Sequence, residues 1–154
     1  MQKISDHITY AEAIHSNTAK RKGIDNTPSP VHVETMGLTA KKIFEPLRKW
    51  VGGPIKVTSF FRSAELNNAI GGAKTSQHMK GQAMDLDDVY GHKTNAEMYE
   101  WICDHCNFDQ IIWEFGDDKN PAWIHVSYIS VDKNRNRKLL AEKEFGKTVY
   151  KIIK

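Results

Sequence analysis

The stretch Ser76–Asp88, "SQHMKGQAMDLDD", decides how the chain is read. Side chains on an extended backbone alternate between two faces. In "AMDLD", Met84 and Leu86 therefore point one way, while Ala83, Asp85 and Asp87 point the other. One face is apolar and the other carries acids. His78 stands seven positions ahead of Asp85. Gly81 lies between them, and a glycine there lets the loop turn so that the imidazole meets the strand carboxylate.

Two later segments repeat the alternation. In "AWIHVSYI" (122–129), Ile124, Val126 and Tyr128 share one face and Trp123, His125 and Ser127 the other. In "FDQIIWEF" (108–115), Ile111, Trp113 and Phe115 form one set and Gln110, Ile112 and Glu114 the second. If the apolar faces of the three strands cover one core, Asp85, His125 and Glu114 converge on the opposite side of the sheet. Polar groups gathered in this way are costly unless they share a partner.

A divalent metal is such a partner. His78, Asp85 and His125 offer two imidazole nitrogens and one carboxylate oxygen. Three such ligands leave the fourth tetrahedral position of zinc open, the composition of a catalytic rather than a closed structural site. Two imidazoles favour zinc over magnesium. Taken singly, each of these residues also reads as an ordinary hydrogen-bonded side chain. His7, His15, His32, His92 and His105 have no comparable company and read as surface or capping residues, and Asp87 and Asp88 as a solvated strand end.

The rest of the chain supplies helices around these strands. A capping box from Thr9 to Glu12 starts a first helix that ends near Gly23. From Pro30 the apolar positions Met36, Ala40, Ile43, Leu47 and Trp50 mark one face of a second helix, kinked at Pro46 and closed by Gly52 and Gly53. "PIKVTSFF" reads as a strand, Ser63 caps "AELNNAI", and "NAEMYEWICDH" is helical. The last thirty residues look peripheral, with "KTVYKII" as an edge strand. The expectation is one α+β domain over 1–154, with a small, mainly antiparallel sheet and helices packed on one side.

Composition narrows the function classes. At 154 residues with 40% apolar side chains the chain can bury a core without disulfides. A net charge of +3 falls short of the clustered basic stripe of a nucleic-acid binder, and "DKNRNRKLLAEKEFGK" mixes acids with bases as a solvated surface does. No run approaches the length of a membrane span. "MQKISDHITYAEAIHSN" lacks the apolar core of a signal peptide, so the expected place of synthesis and residence is the cytoplasm until release. Cys103 and Cys106, in "WICDHCNF", have no second ligand pair nearby and read as packing residues rather than a redox pair.

The stretch "VTSFFRSAELNNAIGGAKTSQHMKGQAMDLD", followed by "DQIIWEF" and "WIHVSY", resembles the M15 group of zinc D-Ala-D-Ala carboxypeptidases and their phage endolysin relatives. The shared pattern is S-x-H-x(6)-D and a later W-x-H. The resemblance implies the fold these enzymes share with the signalling domain of hedgehog proteins, one zinc ion on His78, Asp85 and His125, and a monomer acting on the peptide stem of bacterial peptidoglycan. Its acid-base residue is expected at Glu114, which lies on the adjacent strand facing the metal side; the acid that many of these enzymes carry three positions before the last histidine is replaced here by Ala122. Asp117 and Asp118 read as solvated turn acids. Arg62 is expected to clamp a substrate carboxylate, with Ser76 assisting and Trp123 walling the pocket; their plain alternatives are an ion pair with Glu65, a capping hydroxyl and simple packing. D-Ala-D-Ala and L-Ala-D-Glu both stand as the bond cut. A zinc-stabilised wall-binding or assembly module without chemistry is the alternative that Ala122 keeps open.

Overall fold

A computed structural model describes residues 2–153. Two short strands, β1 (Lys3–Ser5) and β2 (Ile8–Thr9), form a hairpin ahead of α1 (Tyr10–Ile14) and α2 (Asn17–Lys22). The expected first helix is thus two. Thr9 caps α1 by accepting from the Glu12 N–H, and Ser16 caps α2 afresh by accepting from the Ala19 N–H.

The second helix runs as α3 (Pro30–Thr39), a π-helical segment (Ala40–Phe44) and α4 (Glu45–Val51). The π segment is how the helix accommodates Pro46. Proline has no N–H and its ring collides with the carbonyl four residues back. The Glu45 N–H reaches instead to the Ala40 carbonyl, widening the turn just before the proline.

Strands β3 (Lys56–Ser59), β4 (Ala83–Asp87), β5 (Gln110–Glu114), β6 (Trp123–Ser127), β7 (Arg137–Glu144) and β8 (Lys147–Ile152) form one sheet in the order β3-β4-β6-β5-β7-β8. The sheet is mixed, which corrects the antiparallel expectation. β5 and β7 run parallel, and the other neighbours are antiparallel. The cause is geometric. β6 ends at Ser127 beside the start of β5 at Gln110, so a loop at that end delivers the chain to the free side of β5 in the direction of β5.

β7 also overturns the peripheral reading of the last thirty residues, since Leu139 and Ala141 are buried in it. The edge strand read in "KTVYKII" is present as β8.

The apolar alternation does its work on one face. Val57, Met84, Leu86, Ile111, Ile124 and Val126 are buried in a core shared with Met36, Ile43, Phe44 and Leu47 and with Met98 and Ile102 of α6 (Asn95–His105). Burial of this kind contributes roughly 25 cal/mol per Å² of apolar surface. The helices α3, α4 and α6 cover that face and leave the other, with Asp85, His125 and Glu114, to an open cleft. No described helix is long and apolar enough to cross a membrane.

Candidate metal centre

His78 sits in a 3-10 turn, Gln77–Lys80, between α5 (Ala64–Ala69) and β4. The turn is fixed from several sides. Ser76 Oγ accepts from the His78 N–H at 3.3 Å, the Arg62 N–H donates to the His78 carbonyl at 3.1 Å, and Thr39 Oγ1 donates to the Gly81 carbonyl at 3.1 Å. Gly81 closes the turn at φ +76, with the His32 carbonyl and Met36 Cγ each 2.9 Å from where a Cβ would lie. Only glycine fits there.

The turn drives the His78 ring to 2% exposure. Its Nδ1–H donates to the Phe60 carbonyl at 2.8 Å, which fixes the tautomer and leaves Nε2 as a lone pair. Nε2 has no hydrogen-bond partner although Asp85 Oδ1 is only 3.3 Å away.

Strand pairing supplies the other two groups. Asp85 of β4 lies directly opposite His125 of β6, and His125 Nδ1 donates to Asp85 Oδ1 at 3.1 Å. The second carboxylate oxygen accepts from Arg62 Nη2 at 3.2 Å, while Arg62 Nε donates to Ser59 Oγ at 3.0 Å.

Burial pushes the His78 pKa down against the pull of Asp85, so its imidazole is neutral. Burial works against the Asp85 charge too, yet the two imidazoles beside it and the hydrogen bond from His125 hold its carboxyl well below the usual range.

One ligand atom from each of His78, Asp85 and His125 lies within 4.8 Å of the others. The set fits a divalent cation on its own chemistry: two nitrogens, one ionised oxygen, and a buried nitrogen with nothing to bond. Binding would displace the proton that His125 Nδ1 now gives to Asp85.

The triad opens into a cleft of about 890 Å³. Glu114 lies on its wall at 7% exposure, and burial above all, with Asp85 nearby, pushes its pKa up to about 7 against the opposing pull of His125 and Arg62. A carboxyl poised near neutrality is suited to exchanging protons.

Arg62 and Ser76 are placed by contacts within the fold. Arg62 orients Asp85, and no ion pair to Glu65 forms among the described residues. Ser76 is the capping hydroxyl of the 3-10 turn. The Trp123 ring lies 5.4 Å from that of Phe115 at the cleft wall.

Phe115 departs from the alternation expected of it. Its φ of +57 turns it from the core face towards Ile112, Leu139 and Ala141. Asp117 Oδ1 accepts from the Lys119 and Asn120 N–H groups, as a turn acid does. Asp87 and Asp88, read as solvated, are instead tied in: Asp87 Oδ1 accepts from Asn95 Nδ2, and Asp88 Oδ1 from the Gly91 and His92 N–H groups.

Asp109 is the residue that sequence reasoning passed over. Fully buried, it accepts from Gln77 Nε2 at 3.0 Å and from Arg135 Nε and Nη2 at 3.0 and 2.8 Å, so it ties the turn bearing His78 to the loop that enters β7. An acid on the Ile111–Trp113 side of "FDQIIWEF" was the available signal.

A family model described as Peptidase M15 matches residues 6–127. No curated protein matches the chain.

Proposed function

The chain belongs to the M15 peptidase family, and from that premise we propose that it is a zinc-dependent peptidase hydrolysing an amide bond in the stem peptide of bacterial peptidoglycan. The observation that carries the metal side of this reading is the buried, neutral His78 Nε2, unpartnered beside an ionised Asp85. His78, Asp85 and His125 would hold one zinc ion, and Arg62, by its hydrogen bond to Asp85 Oδ2, fixes the orientation of that carboxylate. Zinc, when bound, supplies Lewis acidity to the scissile carbonyl and to water.

Glu114 is the proton carrier. From its place on the cleft wall beside the triad it takes a proton from the attacking water and gives it to the leaving amine nitrogen. Trp123 walls the bound peptide. Ser76 and the remaining donors of Arg62 hold a substrate carboxylate, as charge-assisted hydrogen bonds from a guanidinium do well.

Cleavage at D-Ala-D-Ala would make the protein a carboxypeptidase, and cleavage at L-Ala-D-Glu an endopeptidase. In this reading residues 1–154 act as one monomeric domain of a hedgehog-like fold, in a phage or prophage lysis enzyme that is made in the cytoplasm and meets the wall after release. The net charge of +3 suits an anionic wall.

Purified zinc-loaded protein incubated with peptidoglycan should release new amino groups, and mass spectrometry of the fragments would name the bond. Intact wall peptides after prolonged incubation would favour the second reading, a zinc-stabilised wall-binding or assembly module. Ala122 supports that second reading, since it stands where many related enzymes keep an acid.

A further inference from the structure

The far wall of the cleft lies beyond the segment that the family model matches. Parallel register sets Arg137, Leu139 and Ala141 of β7 beside Gln110, Ile112 and Glu114 of β5, so Arg137, Leu139, Ala141 and Lys143 share the face of the metal triad. Tyr150 of β8 pairs with Ala141 and stands on that face as well.

Ile112, Leu139 and Ala141 are buried in a small apolar cluster with Phe115, separate from the main core. Phe115 packs over this cluster, and Ala141 is fully buried beneath it. The cleft wall beyond Glu114 is made by Phe115, the edge of Leu139, Lys143 and Tyr150, the last 55% exposed.

Charge is sorted across the hairpin. Glu142 and Glu144 sit on the opposite face, where both pair with Lys151. Lys143, on the cleft face, donates to Thr148 Oγ1 at 3.0 Å and lies 5.6 Å from the centre of the Phe115 ring. Among the described residues neither Lys143 nor Arg137 pairs with a carboxylate. A largely apolar wall with an uncompensated cation at its border fits a short peptide that presents a side carboxylate at that point.

We propose that the β7–β8 hairpin is a second substrate subsite, which seats a peptide segment against Phe115 and the edge of Leu139 and binds its carboxylate with Lys143, Tyr150 closing the end. The assignment rests on the reading of the cleft as a peptide site.

The test measures binding rather than turnover. Zinc-loaded protein carrying Glu114→Gln is titrated calorimetrically with the stem pentapeptide L-Ala-D-Glu-L-Lys-D-Ala-D-Ala, the glutamyl carboxyl either free or amidated. The free acid should bind about two- to fivefold more tightly, the worth of one solvent-exposed ion pair. Adding Lys143→Gln should erase that preference while leaving affinity for the amide unchanged, and Lys143→Arg should retain it. Equal affinity for the two peptides, a preference that survives Lys143→Gln, or binding of neither peptide would overturn the subsite. A wild-type protein that shows the preference in binding but leaves both peptides uncut would overturn the peptidase reading alone.

Discussion

His78 Nε2 and Asp85 Oδ1 face each other at 3.3 Å in a buried pocket without a hydrogen bond between them. With Nδ1 committed to the Phe60 carbonyl, both atoms present lone pairs. Two acceptors held together out of water repel each other, and a cation between them removes the penalty. Zinc should therefore raise the thermal midpoint of the protein, and a chelator should reverse the rise. A scan with and without zinc checks this.

Removing one ligand should end binding. His78→Ala or Asp85→Asn should drop zinc from one ion per chain to below about 0.1 after dialysis, because three ligands are the minimum for a site of this type. The zinc-dependent rise in midpoint should disappear with it. Elemental analysis beside the thermal scan reads both.

Glu114→Gln should keep the metal and lose the chemistry, with peptidoglycan hydrolysis falling by about 10²- to 10⁴-fold, the usual contribution of a positioned acid-base group. In the metal-free protein the same substitution has a pH signature. Burial raises the Glu114 pKa from its ordinary 4.5 to about 7, so the folded state holds that proton more tightly than the unfolded one. The stability this confers is complete below about pH 4.5 and is lost as the pH rises through about 7. The stability of the Gln variant relative to wild type should therefore increase between pH 4 and pH 8, by on the order of 2 kcal/mol. Urea titrations at the two pH values measure it.

Gly81→Ala should disturb both fold and site. At φ +76, with the His32 carbonyl and Met36 Cγ at 2.9 Å from the new methyl, the substitution should cost at least about 2 kcal/mol. Zinc affinity should fall as well, since the turn that carries His78 ends at this residue. Denaturation midpoints and zinc titration report the two effects separately.

The site was legible where period-two alternation operates. Asp85, His125 and Glu114 fall on one face of three strands by parity alone, and Gly81 marks the turn that brings His78 to them. Legibility failed where a long-range partner decides. "RKLLAEKE" carries only two buried positions, Leu139 and Ala141, and becomes β7 because β5 offers a free edge there. The partners of Arg62 were likewise hidden: Glu65 is near in sequence, whereas Asp85, twenty-three residues on, is near in space. Phe115 left its expected face through a positive φ that nothing in "IIWEF" announces.

The cysteine pair should prove unreactive. Burial pushes both the Cys103 and Cys106 thiols up to about 11, and both cysteines are free. At pH 8 the thiolate fraction should be roughly a hundredfold below that of free cysteine, whose pKa is near 8.5. Labelling with a disulfide reagent should be slowed in proportion. Labelling as fast as free cysteine would restore a redox role.

Anomalous diffraction at the zinc edge from crystals of the zinc-loaded protein tests the metal centre most directly. It should show a single strong peak within about 2.0–2.2 Å of one nitrogen each of His78 and His125 and one oxygen of Asp85, with no fourth protein atom in contact. A peak elsewhere, or a fourth side chain completing the coordination, would contradict the account.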